Sequence, residues 1–372
     1  MTRIYFSAGD ASGDVHGANL IRALRDLAPN LECAGLGGQQ MAAAGMELHD
    51  DLAARGIMGF TEVLKSFGAI RGLFYDTFAR LRRDRPDLLV LIDYPGFNIR
   101  LGRRAKNDLG IPIVYYISPQ VWAWKKNRLH TLAKFVDRML VILPFERDLY
   151  RRVGVDCVFV GHPLLDHIEA TPVSGKYEGD CVVGLLPGSR AQEIERILPI
   201  MLEVARGIRA RHPEARFLSP CVDAARANQI RAIAGDFPLE IALGETYEVL
   251  HAARFCMVAS GTATVETALF GVPMVILYRV AETTYRLARA VVDIDTIGMV
   301  NILAGRRIVP EFIQHGAHPE AILPVSLELI ADSPERAAML ADLAQVRADL
   351  GSGGASARAA RAILEIVEQP HA

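Results

Sequence analysis

Short apolar runs alternate with helix-length amphipathic segments along the whole chain, and that alternation predicts an α/β fold. In the first half the strand candidates are Ile4–Ser7, Glu32–Gly35, Leu88–Ile92, Ile113–Ile117, Arg138–Ile142 and Cys157–Val160. Continuous runs such as Leu88-Leu89-Val90-Leu91-Ile92 suit strands buried on both faces of a parallel sheet. Helical spacing falls between them, over Val15–Leu27, Asn98–Asp108, Asn127–Phe135 and Pro144–Val153. This order predicts a doubly wound sheet.

After Gly161-His162-Pro163 comes Glu169 to Gly175, polar, proline-containing and poorly periodic, which reads as a linker. The strand pattern then restarts at Val182–Leu186, Arg216–Ser219, Leu239–Leu243, Phe255–Ala259 and Met274–Leu277. The expected organisation is two Rossmann-like domains, residues 1–168 and 176–355, facing a cleft. The alanine-rich helix over 356–372 has room to cross back to the first domain.

Composition changes this picture little: 372 residues exceed one ordinary core, and 51% apolar with 23% charged residues is normal for a globular chain. Charge changes it more. Lys65 to Arg152 holds eighteen Lys and Arg against eight Asp and Glu, although the whole chain sums to −2. A basic surface of this kind meets phosphate, anionic lipid or nucleic acid. The five cysteines are widely spaced without a C-x-x-C pair, which predicts buried thiols rather than disulfides or zinc. The N-terminus enters directly into Ile4-Tyr5-Phe6 and no apolar run reaches membrane-spanning length, so a cytoplasmic protein is expected.

Two glycine-hydroxyl turns carry the chemistry of the second half: Leu186-Pro187-Gly188-Ser189-Arg190 and Ser260-Gly261-Thr262-Ala263-Thr264-Val265-Glu266. Each leaves a predicted strand and enters a helix, pointing backbone N–H groups and a helix dipole at whatever lies above. Arg190 adds a planar fork matched to phosphate oxygens, and Glu266 a carboxylate for ribose hydroxyls. Gly188, Ser189, Arg190, Ser260, Gly261, Thr262 and Glu266 are therefore the nucleotide diphosphate candidates. Ordinary helix caps would produce either turn alone.

In the first half, Gly9-Asp10-Ala11-Ser12-Gly13-Asp14 ends the first strand without the G-x-G-x-x-G spacing, so a dinucleotide fingerprint is excluded. Its two carboxylates favour sugar hydroxyls over phosphate. Asp93 ends the most apolar strand, where open α/β sheets bind ligands, and next to that run its carboxyl is suited to take a proton from a hydroxyl. Asn98 would cap the following helix and release Asp93 for this work. Ser12, Asn98 and Gln314 are placed on the sugar and acceptor side. His162 reads as structural. Asp293-Ile294-Asp295 has the spacing of a divalent-metal motif, but it follows an amphipathic helix and lacks a third ligand, so no metal is expected.

From Ile57 to Arg85, Phe60, Leu64, Phe67, Phe74 and Phe78 fall at helical spacing, Leu73 widens the apolar face, and arginines surround it. This pattern suits an interfacial helix on an anionic leaflet, with Phe60, Leu64, Phe67, Leu73 and Phe74 toward acyl chains; core packing is the competing reading. Trp122 and Trp124, beside Lys125, Lys126 and Arg128, fit a lipid interface, a packed loop or base stacking.

These segments together resemble the lipid-A-disaccharide synthase family, glycosyltransferase family 19. The resemblance runs through Ala8 to Asp14, Ile92 to Asn98, Ser118-Pro119-Gln120-Val121-Trp122-Ala123-Trp124, Leu143-Pro144-Phe145-Glu146, Gly161-His162-Pro163, both glycine-hydroxyl turns and Asn301-Ile302-Leu303-Ala304-Gly305. It implies a GT-B architecture and an inverting transfer without metal or cofactor. UDP-2,3-diacylglucosamine would be the donor and 2,3-diacylglucosamine 1-phosphate (lipid X) the acceptor. It further implies peripheral contact with the cytoplasmic leaflet of the inner membrane, and no nucleic acid. Asp93 matches the family's proposed catalytic aspartate, Arg190 its pyrophosphate arginine and Asn301 a polar active-site residue. The chain departs from the expected pattern at Asp10, where Glu is usual, and at Val300, where proline is expected. A UDP-N-acetylglucosamine 2-epimerase or muramyl-type transferase shares the architecture and stays in competition. A non-catalytic membrane or nucleic-acid-binding protein would not need the two turns.

Overall fold

Leu88 to Ile92 has no exposed residue, as a strand covered on both faces requires, and Ile113–Tyr116, Val182–Leu186 and Phe255–Ala259 behave alike, whereas Leu239–Leu243 is partly exposed. The computed structural model describes residues 2–52, 67–122, 127–282, 285–286 and 296–368. The chain divides into two units, Met1–Asp166 with Ser352–Ala372, and His167–Gly351.

The first unit begins with β1 (Arg3–Ala8), α1 (Ala11–Leu27), β2 (Glu32–Gly37), α2 (Gln39–Ala43) and β3 (Glu47–Asp51). It continues with α3 (Phe67–Asp84), β4 (Leu88–Ile92), α4 (Pro95–Arg104), β5 (Ile113–Tyr116), α5 (Asn127–Leu132), β6 (Arg138–Val141), α6 (Pro144–Arg151) and β7 (Asp156–Phe159). Helix α7 (Pro163–Ala170) carries the point of division. The seven strands form a parallel sheet in the order β3-β2-β1-β4-β5-β6-β7. Neighbouring strands β1 and β4 send their following connections to opposite sides, which makes their C-terminal ends the switch point where such sheets bind ligands.

The second unit holds β8 (Val182–Leu186), α8 (Ala191–Arg211), β9 (Arg216–Cys221), α9 (Ala224–Ala234), β10 (Leu239–Leu243), α10 (Thr246–Ala252) and β11 (Phe255–Ala259). Then come α11 (Ala263–Leu269), β12 (Met274–Tyr278), α12 (Met299–Ala304), β13 (Glu311–Ile313), α13 (Pro319–Ile330) and α14 (Pro334–Asp349). Its parallel sheet has the order β10-β9-β8-β11-β12-β13, with the switch point between β8 and β11.

The last helix, α15 (Ala355–Glu368), packs on the first unit. Ala359, Ala360 and Ile363 join the core containing Ile21 and Leu24, small residues allowing close approach to α1. Asp166 accepts the N–H groups of Gly354, Ala355 and Ser356 and so caps this helix. Arg358 donates to the Val160 carbonyl at 2.7 Å.

Three differences from the sequence pattern have physical causes. Strands β3 and β13 lie at sheet edges, where Glu47-Leu48-His49-Asp50-Asp51 is only half-covered and needs no apolar run. Helix α1 begins at Ala11 because Asp10 accepts the Gly13 N–H at 2.6 Å, so most of the expected loop is the first helical turn. Helix α4 begins at Pro95 after Tyr94, so Asn98 lies inside it and is not its cap. All five cysteines are buried free thiols. No helix among the described residues is long and apolar enough to cross a membrane.

Candidate active site

At the switch point of the first sheet the two loops touch. A Cβ on Gly9 would lie 2.1 Å from the Tyr94 ring, so only glycine lets the chain after β1 pass beneath it. Asp93 and Tyr94 are consecutive left-handed residues, with φ of 42° and 47°. Such backbone costs about 1–2 kcal/mol per residue and persists only where its surroundings enforce it. The enforcement is visible. The Asp93 carbonyl accepts from Tyr115 Oη at 2.6 Å and from Asn98 Nδ2 at 2.8 Å, while its N–H donates to the Tyr116 carbonyl at 3.1 Å.

Asn98 is fully buried, and its polar atoms are spent on this corner. Its Nδ2 also donates to the Ser7 and Ile92 carbonyls, and its Oδ1 accepts from Ser7 Oγ at 2.7 Å. It ties β1 to β4 and presents nothing to an acceptor, which corrects the expected lining role. Replacing Asn98 with Ala should lower unfolding free energy by about 3 kcal/mol, because a buried hydroxyl and three carbonyls lose a partner. Urea denaturation checks this; a change below about 1 kcal/mol would show that the bonds are replaced by water.

The tie leaves the Asp93 carboxyl unspent. Burial, then the neighbouring Asp10 charge, raises its pKa to about 6, against a smaller opposing hydrogen bond from the Tyr94 N–H. Asp10 is the α1 cap, and Asp14 accepts the N–H groups of Gly38, Gln40 and Met41, so both carboxylates of this turn serve the fold. Ser12 is exposed on the first turn of α1. His162 is buried, accepts the Leu164 N–H and is held neutral, its pKa lowered by burial to about 4.

In the second unit, Gly188, Ser189, Arg190, Ser260, Gly261, Thr262 and Glu266 line one pocket of about 310 Å³ at the β8/β11 switch point. Gly188 has a φ of 107°, and a Cβ there would strike Glu193 at 2.8 Å or less. Glu193 accepts from both the Arg190 N–H at 3.2 Å and its guanidinium at 2.9 Å, holding the arginine at the start of α8. Ser260 lines the pocket by position, but its hydroxyl donates to the Ile297 carbonyl and its N–H to the Leu277 carbonyl. It anchors the turn rather than offering donors. Glu266 accepts from Tyr247 Oη at 3.1 Å, and burial raises its pKa.

Glu193, Arg226 and Tyr247 are functional candidates missed in the sequence. The Arg190-x-x-Glu193 spacing is a helix-start signal that was available. Arg226, at the pocket wall, and Tyr247 had no comparable signal.

Asn301 is 1% exposed, donates to the Val309 carbonyl and Glu311, and accepts the Ile308 and Val309 N–H groups. Glu311 in turn accepts the N–H groups of Ile297 and Gly298, so Asn301 reaches the Ser260 turn only through this network. Gln314, with a φ of 52°, clamps the Val280 N–H and carbonyl. Asn301 lines no open surface, a correction that follows from its complete internal bonding, whereas Gln314 also donates to Glu282 and lines a cavity of about 360 Å³ with Arg279, Arg286 and His315.

The acyl-binding candidates divide. Phe60 and Leu64 lie outside the described residues, as do Trp124 and Asp293-Ile294-Asp295; Phe67 opens α3. Leu73 is buried in the core, and Phe74 packs edge-on against Phe97 at 5.8 Å. This part of the stripe packs on the unit's own core, with Leu73 buried and Phe74 only partly covered. Among the described residues no cluster suited to a metal ion occurs.

Residues 4–366 match the family described as lipid-A-disaccharide synthetase. The lipid-A-disaccharide synthase of Syntrophus aciditrophicus is 42% identical, with 97% of each chain covered. This chain belongs to the lipid-A-disaccharide synthase family. It is a hexosyltransferase that forms the lipid A disaccharide from a sugar nucleotide and lipid X. The family's enzyme from Geobacter sulfurreducens is 40% identical over 98% of this chain and 97% of its own. Among solved structures, the glycosyltransferase of kitacinnamycin has a TM-score of 0.66 at 17% identity, with 98% of each chain covered. The Neisseria meningitidis UDP-GlcNAc 2-epimerase bound to UDP-GlcNAc has a TM-score of 0.61 at 12% identity, covering 99% of this chain and 98% of its own. These two likenesses show the shared GT-B fold alone, so the epimerase reading loses its support and the synthase family keeps its own.

Proposed function

We propose that Asp93 is the general base of this synthase and that the Arg190 pocket holds the UDP of the donor. The donor is UDP-2,3-diacylglucosamine and the acceptor 2,3-diacylglucosamine 1-phosphate. Asp93 takes the proton of the acceptor 6-hydroxyl as that oxygen attacks the donor anomeric carbon in line. The C1–O bond to the diphosphate breaks, UDP leaves, and a β-1,6-linked disaccharide 1-phosphate forms.

The observation carrying this reading is the Asp93 carboxyl: largely desolvated, raised to about 6, bonded among the described residues only to the Tyr94 N–H, and set on a strained corner that bonds to the Asp93 backbone hold in place. A base of that pKa is ionised at neutral pH yet still a useful proton acceptor. In the second unit, the N-terminus of the long helix α8, the Thr262 hydroxyl and the Arg190 fork favour the negative charge that grows on departing UDP.

Membrane contact at the cytoplasmic leaflet fits the first unit's surface. Arg71 and Arg104 each lie 5.7 Å from the ring of a half-exposed Tyr75 there, and Arg100 and Arg103 are exposed on the same unit. Mass spectrometry of products from defined acylated donor and acceptor, in the presence of a chelator, tests the reading. Disaccharide 1-phosphate and UDP are expected together. Their joint absence overturns it, and efficient turnover of non-acylated UDP-N-acetylglucosamine would move the assignment to an epimerase.

A further inference from the structure

One acidic side chain at the same rim has no part in this chemistry. Glu146 stands in the first turn of α6, two strands along from Asp93 in the order β4-β5-β6. It is 2% exposed. Its Oε1 accepts from the Trp122 indole N–H at 3.2 Å, and the Trp122 ring meets Phe145 edge-on at 5.4 Å. Its Oε2 is buried with no hydrogen-bond partner among the described residues. A carboxylate oxygen left dry is far more unfavourable than the unpartnered O–H of a neutral acid.

The surroundings favour the neutral form. Trp122 and Ser118 face Glu146 from the loop after β5, Asp93 from β4, Tyr150 from its own helix and Cys157 from β7. Tyr150 Oη is 2.7 Å from Ser118 Oγ, whose proton goes to the Pro119 carbonyl. Burial pushes the Cys157 thiol up to about 12, which keeps it neutral. Arg151 donates to the Cys157 carbonyl, and Arg147 lies 3.6 Å from Asp148, so neither cation pairs with Glu146. Burial above all raises Glu146 to about 8, with the smallest contribution from the Asp93 charge, against opposing contributions from the Trp122 bond, the Leu143 N–H and Ser118.

We propose that Glu146 is a positioning residue: as an uncharged acid it ties Trp122 and its loop to the rim beside Asp93, without bringing a second negative charge to a site that receives phosphorylated substrates. This rests on Asp93 being the base of the proposed reaction. Ionising Glu146 keeps the Trp122 tie but adds charge, so the acceptor, which carries a phosphate, binds less well at alkaline pH.

Glu146→Gln keeps a carbonyl oxygen for Trp122 and cannot ionise. At pH 7 its kcat should stay within about threefold of wild type, while the roughly tenfold rise of acceptor KM from pH 7 to 9 in wild type should disappear. Glu146→Ala, folded by circular dichroism, should lose at least about tenfold in kcat/KM at every pH because Trp122 is released. Infrared spectroscopy of the substrate-free protein supplies a readout independent of turnover. A protonated-carboxyl band should be present at pH 7, fade through about pH 8 and be missing in Glu146→Gln. Absence of that band, or an alkaline rise in KM shared by the Gln variant, overturns the proposal. If the band behaves as expected but no disaccharide forms, the reading of the reaction falls and takes the assigned role with it.

Discussion

Asp93→Asn should lose turnover by about 10²- to 10⁴-fold, the range a positioned general base supplies, while UDP binding is unchanged. The geometry makes this substitution unusually clean. Tyr115 and Asn98 hold the Asp93 carbonyl, the N–H pairs with Tyr116, and an asparagine keeps an oxygen for the Tyr94 N–H, so the left-handed corner is retained. The variant should also be more stable than wild type at pH 7. The folded-state pKa of about 6 lies above the ordinary carboxyl value of 3.8, so the native protein binds this proton more readily than the unfolded chain. The sign follows: between those values stability falls as pH rises, and above about 6 the full penalty of a buried carboxylate is present. That penalty is about 3 kcal/mol, and asparagine removes it. Wild-type kcat/KM should rise through pH 6 as the base ionises. Chemical denaturation and a pH–rate profile check both halves. Equal loss of turnover and UDP affinity would make Asp93 a structural residue instead.

Arg190→Ala should lower kcat/KM for the donor by about 10²- to 10³-fold, because two charge-assisted bonds to the diphosphate disappear. Stability should move by less than about 1 kcal/mol, since the Arg190–Glu193 pair has one partner 71% exposed. Arg190→Lys keeps the charge but loses the fork and should recover only part of the loss. Isothermal titration with UDP beside steady-state kinetics separates binding from catalysis. An alanine variant with unchanged donor kinetics would remove Arg190 from the diphosphate site. Glu193 explains why one arginine can matter so much. By holding both the backbone and the guanidinium, it orders the side chain before the ligand arrives.

Asp93 and Arg190 could be singled out in the sequence because each follows a buried strand, and the C-terminal ends of parallel strands are where such sheets bind ligands. The four residues assigned to the sugar and acceptor side or to the active site were harder to place. Three of them, Asn98, Asn301 and Gln314, are polar side chains in functional-looking positions, yet each satisfies backbone groups. Composition and spacing do not distinguish a polar residue that faces a ligand from one that pays for a corner. The Leu73–Phe74 stripe is ambiguous for the same reason, since core and lipid interface require the same periodicity.

Local chemistry in the chain is enough to settle two repeated α/β units, the buried strands, and a glycine-hydroxyl turn at the end of β8 and β11. Those features depend on residues close in sequence: continuous apolar runs, helix-start spacing and glycine. Tertiary structure decides the rest. Strand order places the Asp93 corner beside the Gly9 turn and gathers two turns more than seventy residues apart around one pocket. Burial then sets which carboxyls are spent and which stay reactive: Asp14 is consumed by three N–H groups, whereas Asp93 and Glu146 are left with raised pKa values. Desolvation and hydrogen-bond competition depend on neighbours brought from distant parts of the chain, so the apolar run before Asp93 could point to that carboxyl while nothing adjacent marked Glu146 or what consumes Asp14.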